Sequence, residues 1–463
     1  MTDSAFRRLP PVHALLDYPA LAGVREAKGH EATLAAARAA IDEARREIAD
    51  GKAAAIDLES LSRRAAALLE TDRPTLREVL NASGVLLHTG LGRAPLAAEA
   101  VEAVARVARG YCNLEFDLET GERGRRLTGT NELVRRLTGA EAVAVVNNNA
   151  AATVLALRAL AIGREVVVSR GQLIEIGGSF RLPDIFELSG SRLREVGTTN
   201  KTRLSDYEGA IGPDTAALLR VHPSNYRVVG FTESVGIADL VALGHSRGLA
   251  VIDDVGSGAL GPGRPPQIAD EPTIAEGLTA GADLVLCSGD KLLGGPQCGL
   301  ILGTRAAVSR VTSDPLMRAL RVGKMTLAAL EATLRLALDP ALGGRRIPLW
   351  SFLNTSVDQL RERAERLAGL FRDELTLHAT VIETTAYLGG GSVPAEPIPT
   401  AAIRVVPPYP APFASESALA GALRLGTPSV VPRVQGGAVL FDLRAIAPED
   451  DDRLLDAVRR LVR

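Results

Sequence analysis

Between Glu31 and Asp50, Leu34, Ile41 and Ile48 recur on one helical face among Ala, Arg, Asp and Glu, and a second amphipathic stretch opens at Asp57 and runs through Leu58, Leu61, Ala65 and Leu68. Residues 1–75 therefore read as a helical N-terminal domain. From Asn81 the pattern changes. Short β-branched runs, Gly84–Leu87, Ala142–Val146, Glu165–Ser169, Ala216–Val221, Ala250–Asp254, Asp283–Cys287 and Gly299–Gly303, alternate with longer helical stretches. That rhythm predicts an α/β fold with a mostly parallel sheet, and the continuously apolar runs suit strands buried on both faces. Past Leu338 come a helix rich in Arg and Glu (Val357–Glu374), strand-like pieces around Ala402–Val406 and Ala438–Leu443, and a final helix from Pro448. The expected division is a helical domain over 1–75, a large catalytic domain over 76–338 and a small C-terminal α+β domain over 339–463.

At 463 residues, 46% hydrophobic and 23% charged, the chain has the balance of a folded soluble protein able to bury a large active site. No segment is apolar for long enough to span a bilayer, and Arg7 and Arg8 are followed by no apolar core of the kind a signal peptide needs. A cytoplasmic protein is expected. Cys112, Cys287 and Cys298 have no C-x-x-C spacing, which argues against a disulfide framework and a cysteine-rich zinc site. A net charge of −2 exerts no bulk pull on nucleic acid, so a polyanion must be met by a local patch. Arg38, Arg45, Arg46, Lys52, Arg63 and Arg64 allow such a face, although interleaved acids equally suit a solvated helical pair.

In sheets of this type ligands gather beyond the carboxyl ends of strands, and three strand exits are unusual. The first, Val145 to Thr153, runs through Asn147, Asn148, Asn149 and Ala150 into a helix whose N-terminus suits a phosphate; capping by Asn149 alone explains it equally well. The second, Val251 to Gly258, ends in Asp253 and Asp254, a carboxylate suited to a pyridine nitrogen, a metal or a cap. The third, Leu284 to Pro296, carries Ser288, Asp290 and Lys291 in a glycine-rich turn. A lysine buried there loses its proton readily and becomes a usable amine for a Schiff base to pyridoxal 5′-phosphate (PLP), with Ser288 in reach of the cofactor phosphate. A Ser/Lys nucleophile pair is the rival, but its partner motifs are missing. The order phosphate helix, Asp, Lys is that of the aspartate aminotransferase type of PLP fold, fold type I.

The chain resembles bacterial selenocysteine synthase, L-seryl-tRNA(Sec) selenium transferase. The resemblance rests on Asn81–Pro95, Asn147–Thr153, Arg170–Arg181, His222–Tyr226, Asp254–Gly258, Ser288–Lys291 and Gly389–Pro394. Gly90 departs from the family pattern, where Asn is expected, but removes no catalytic group. The resemblance implies conversion of serine on tRNA(Sec) to selenocysteine with selenophosphate as donor, PLP held by Lys291, and passage through an aminoacrylyl-tRNA. It also implies a tRNA-binding role for the N-terminal helices, and a homo-oligomer, at least a dimer and in this family a larger ring. Asp254 is assigned to the pyridine nitrogen, Asn148, Asn149, Ala150 and Ser288 to the cofactor, and Asp290 to proton transfer.

Because the substrate is an ester, no carboxylate clamp is needed, and Arg93, Arg318 and Arg321 are free to hold the anionic donor. Arg318 and Arg321 share a face if 315–320 is helical. His13, His30, His88, His222, His245 and His378 are too scattered for a metal set, and most read as structural. Two rivals remain: a PLP lyase acting on a small amino acid or amino sugar without tRNA, and an RNA-binding or regulatory protein without turnover. The N-terminal helices speak against the first, and Lys291, Asp254 and Arg93 against the second.

Overall fold

The computed structural model describes residues 8–51, 56–71, 75–124, 126–176, 180–224, 226, 228–260, 266–390 and 396–462. The chain forms two compact units, Met1–Glu78 and Val79–Arg463.

Among the described residues the first unit has helices Val12–Leu16, Pro19–Lys28, His30–Ala49 and Leu58–Thr71. Its core mixes small and large side chains: Ala37, Ala40, Ala44 and Ala65 are fully buried beside Leu15, Leu21 and Leu61. Ile41 and Ile48 are buried as expected, the alanines let helices approach closely, and Leu34, expected on the same face, is only partly buried. Arg38, Arg45, Arg46 and Arg63 face solvent, whereas Arg64 donates to Glu47 (3.1 Å). Lys52 lies outside the described residues.

In the second unit the strands are β1 (Val79–Ala82), β2 (Ala142–Val146), β3 (Glu165–Ser169), β4 (Glu175–Ile176), β5 (Phe180–Arg181), β6 (Arg192–Val196) and β7 (Thr215–Val221). They continue as β8 (Ala250–Gly256), β9 (Leu284–Ser288), β10 (Gly299–Gly303), β11 (His378–Tyr387), β12 (Pro397–Val406), β13 (Ser429–Gln435) and β14 (Ala438–Asp442). A seven-stranded sheet has the order β2-β10-β9-β8-β7-β3-β6. Only β10 runs antiparallel to its neighbours, so β2, β3 and β6 to β9 share one direction. Helices cover both faces, and β8, β9 and β10 are buried almost throughout, which is why their sequences are continuously apolar. The common direction brings the exits of β2, β7, β8 and β9 to one edge.

A five-stranded sheet, β1-β13-β14-β12-β11, carries the C-terminal part, with β1 parallel to β13. Two expectations need correction. Gly84–Leu87 is not a strand of the large sheet: Gly84 has φ +79, and Val85 makes only an isolated bridge to Tyr387. A Cβ on Gly84 would stand 2.6 Å from Asp442 Oδ2, so the chain turns there with glycine and β1 precedes the turn. Strand β6 was not expected, because Arg192, Arg194 and Glu195 interrupt any apolar run; it is the sheet's edge, where charge is tolerated.

Candidate active site

Strand β2 delivers the chain into the helix Asn149–Ala161, and the cap is Asn148, whose side-chain oxygen accepts from Ala151 N at 2.9 Å. Asn149 therefore does not cap the helix. Its Nδ2 donates to Asp254 Oδ1 at 2.8 Å. One turn on, Thr153 Oγ1 lies 3.0 Å from Asp254 Oδ2 and 2.9 Å from Asn149 O, its single proton shared between them. Asp254, at the end of β8, is 5% exposed. Burial pushes its carboxyl up to about 6, against the Asn149 and Thr153 bonds and the charge of Lys291, which pull it down.

The alternation of a strand sends the preceding residue to the other face. Asp253 is fully buried and paired with Arg220 through two bonds of 2.7 Å, Nε to Oδ1 and Nη2 to Oδ2. It is committed to that pair, so Asp254 is the carboxylate facing Lys291's cavity.

The turn after β9 packs against the one after β8. Gly258 has φ +77, and a Cβ on it would sit 2.4 Å from Ser288 O; Leu292 N closes the contact by donating to Ser257 O at 2.8 Å. Within this turn Lys291 is 4% exposed. Burial, and next the charge of Arg93, lowers its pKa below the ordinary lysine value. Arg93 has φ 63, in the left-handed region that a non-glycine residue enters at a cost of about 1–2 kcal/mol. Its Nη1 donates to Asp290 Oδ2 at 2.8 Å, and Ala94 N donates to Asp290 O at 3.3 Å. The indole Nε1 of Trp350, from the helix Pro348–Asn354, donates to Leu292 O at 2.8 Å.

Arg93, Asn148, Asn149, Ala150, Asp254, Ser288 and Lys291 line one cavity of ≈ 210 Å³. Arg318 and Arg321 are not in that lining. The helix Leu316–Leu320 ends at Arg321, whose φ of −65 and N–H bond to Met317 O (3.0 Å) still follow the helix before the chain turns extended (ψ 142) and bridges Val146, so Arg318 and Arg321 stand three apart at its end. Arg318 is exposed, while Arg321 Nη1 donates to Glu115 Oε1 at 3.2 Å; Arg126 (2.7 Å) and Arg123 (3.0 Å) also bind that carboxylate. His222, singled out for no role by the sequence, lines the cavity, and its Nε2 lies 3.3 Å from Glu271 Oε1. Gly177, Gly178, Ser179, Asn225 and Gly391–Pro394 lie outside the described residues. Among the described residues no cluster of three His, Cys, Asp or Glu side chains is arranged to hold a metal.

The cavity's donor set fits PLP. A buried carboxylate held from behind by Asn149 and Thr153 suits a protonated pyridine nitrogen, a buried low-pKa amine suits the aldehyde carbon, and the N-terminus of a 13-residue helix suits the phosphate. Asn149 Oδ1, in the same wall, is buried without a hydrogen-bond partner among the described residues.

Comparison with known proteins gives a consistent result. Residues 79–447 match the family profile of L-seryl-tRNA selenium transferase, and residues 6–45 match the N-terminal profile of selenocysteine synthase. The L-seryl-tRNA(Sec) selenium transferase of Moorella thermoacetica is 46% identical over 455 residues, covering 98% of this chain and 96% of its own. That of Solidesulfovibrio magneticus is 46% identical over 461 residues, covering 97% and 96%. Among solved structures, D-glucosaminate-6-phosphate ammonia-lyase has a similar fold, with a TM-score of 0.57 at 23% identity over 84% of this chain and 96% of its own.

Proposed function

The chain belongs to the L-seryl-tRNA(Sec) selenium transferase family, and from that premise we propose that it converts the seryl group of seryl-tRNA(Sec) to selenocysteinyl with selenophosphate as donor. It is a PLP-dependent enzyme of fold type I. The observation that carries the reading beyond the family is the buried Lys291 in one cavity with the Asn149–Asp254 pair.

When bound, PLP supplies an electron sink for the bonding electrons at the substrate's α-carbon. Asp254 holds the proton on the pyridine nitrogen, and Asn149 and Thr153 hold Asp254 in place. Asn148, Asn149, Ala150 and Ser288 bind the phosphate end. Lys291, poor in protons because it is buried next to Arg93, carries the cofactor and then takes the α-proton. Asp290 assists that transfer while Arg93 fixes its position. Arg93, Arg318 and Arg321 hold the selenium donor, for which guanidinium forks suit the phosphate-like oxygens.

Residues 1–75 form the tRNA-binding domain, 76–338 the catalytic domain and 339–463 the small domain in this reading. The protein works as a homo-oligomer, at least a dimer, in the cytoplasm. No helix among the described residues is long and apolar enough to cross a membrane. A tRNA-independent lyase would not need the N-terminal helices, and the match over residues 6–45 favours the transferase. The test is incubation with seryl-tRNA(Sec) and selenophosphate, followed by identification of the aminoacyl product. Recovery of serine alone overturns the reading.

A further inference from the structure

A second, larger cavity of ≈ 490 Å³ adjoins the one that holds Lys291, and Val221 and His222 line both. Its remaining walls come from the exits of β3 and β7, the loop Thr198–Thr202, and segments around residues 232–235 and 267–271. Several of its charges are paired. Arg220 is neutralised by Asp253 (2.7 Å), His222 faces Glu271 (3.3 Å), and Glu233 binds Arg203 (3.3 Å). Of the other charges Lys201 stands 5.9 Å from the centre of the Phe231 ring, and Asp270 and Glu396 add carboxylates; the rest of the polar wall is amide and hydroxyl, Gln172, whose Oε1 accepts from Val221 N at 3.0 Å, with Thr198, Asn200 and Thr202. A polyphosphate calls for uncompensated cations, whereas Lys201 and Arg220 here share the wall with Glu233, Asp270, Glu271 and Glu396; a heterocycle and a sugar call for neutral donors and acceptors in a concave site.

Covalent connectivity supplies the ligand. In seryl-tRNA only one carbonyl carbon and one oxygen separate the seryl α-carbon from the ribose of the terminal nucleoside. If that α-carbon reaches Lys291, the nucleoside must occupy space directly continuous with the Lys291 cavity, and among the described residues the cavity beyond Val221 and His222 has that property. We propose that the ≈ 490 Å³ cavity is the subsite for the 3′-terminal adenosine of the aminoacyl-tRNA, with His222 at the passage between nucleoside and reaction centre. The assignment rests on the functional reading above.

The experiment uses the full chain loaded with PLP. Thr199 and Ser234 line the larger cavity, face solvent and lie outside the Lys291 cavity, so Thr199→Trp and Ser234→Trp fill it without touching the reaction centre. Each raises the KM for seryl-tRNA(Sec) by about tenfold or more, leaving kcat and the cofactor's absorbance near wild type, as loss of binding shared by ground and transition states requires. In parallel, seryl-tRNA ending in 8-azidoadenosine is photolysed on the wild-type protein, and the label is expected on peptides containing residues 198–202 or 232–235. Wild-type KM in both variants, or label confined to peptides that do not line this cavity, overturns the assignment while the transferase reading stands. Failure of the wild-type protein to make selenocysteinyl product is a different result, and it removes the reading itself.

Discussion

Asn149 Nδ2 donates to Asp254 Oδ1 at 2.8 Å across 105 residues of sequence, joining the start of the helix after β2 to the end of β8. Asp253 is spent on Arg220 (2.7 Å). Asp254→Asn is expected to keep the fold while cutting turnover at least about a hundredfold, the scale of losing one preorganised electrostatic group. Asp253→Asn is expected to act on stability, by on the order of 3 kcal/mol, because it leaves Arg220 without its counter-charge. Thermal melts and single-turnover assays separate the two. A larger catalytic loss in Asp253→Asn would reverse the assignment.

Asp254 also sets a pH dependence in the cofactor-free protein. Its carboxyl, ordinarily near 3.8, stands at about 6 in the fold, so the fold prefers the protonated form. That contribution is complete below the unfolded value and is lost as pH rises through about 6, costing on the order of 2–3 kcal/mol by neutral pH. Urea melts across this range should slope downward for the wild type and be flatter for Asp254→Asn. Thr153→Val removes a bond that lowers the pKa and should move the slope to higher pH.

Borohydride treatment of the cofactor-loaded protein should fix the label to the peptide containing Lys291, and Lys291→Ala should release the cofactor or leave it inert. Label on another lysine would relocate the reaction centre.

Arg93→Ala removes a positive neighbour of Lys291 and frees Asp290, and both changes raise the lysine's pKa. Cofactor absorbance titrated with pH should therefore shift upward in this variant. Lysine at position 93 should restore the charge effect but not the two-pronged grip on the selenium donor. Rescue of both by Arg93→Lys would argue against a role for guanidinium geometry.

Arg318→Ala and Arg321→Ala should leave the cofactor spectrum unchanged and reduce selenium transfer, with extra selenophosphate restoring it only in part. If both variants transfer selenium at the wild-type rate, the donor site lies elsewhere. Deleting residues 1–75 should likewise spare the spectrum while weakening tRNA binding, and in the intact chain that binding should fall as salt rises. Unchanged affinity after deletion would place the tRNA surface on the second unit.

The large sheet was legible because its central strands are buried on both faces and so leave unbroken apolar runs. Lys291 and Asp254 stood out because each is a charged residue near the exit of such a run, Asp254 in the last residues of β8 and Lys291 just beyond β9. The edge strand β6 and the turn at Gly84–Leu87 were not, since one reads as polar and the other as β-branched, and only tertiary pairing decides them. The exchange of roles between Asn148 and Asn149 depends on the extended backbone of Asn148 (φ −165, ψ 175), which adjacent identical side chains do not reveal. Thr153 carried a usable signal, four residues beyond Asn149 on the same helical face, once Asn149 is turned toward β8. His222 carried a signal of position, as the first residue beyond the run Ala216–Val221, but not of partner, because Glu271 is distant in sequence and meets it only through the fold.

Trp350 is the chain's one tryptophan, and its N–H is bonded to the carbonyl of the residue that follows Lys291. Intrinsic fluorescence excited at the red edge of protein absorption therefore comes from a single emitter mounted on the reactive turn. Its emission overlaps the absorption of a pyridoxal chromophore, so energy transfer dims it when the cofactor is seated and restores it on release. The protein thus holds an optical gauge of cofactor loading that needs no added dye.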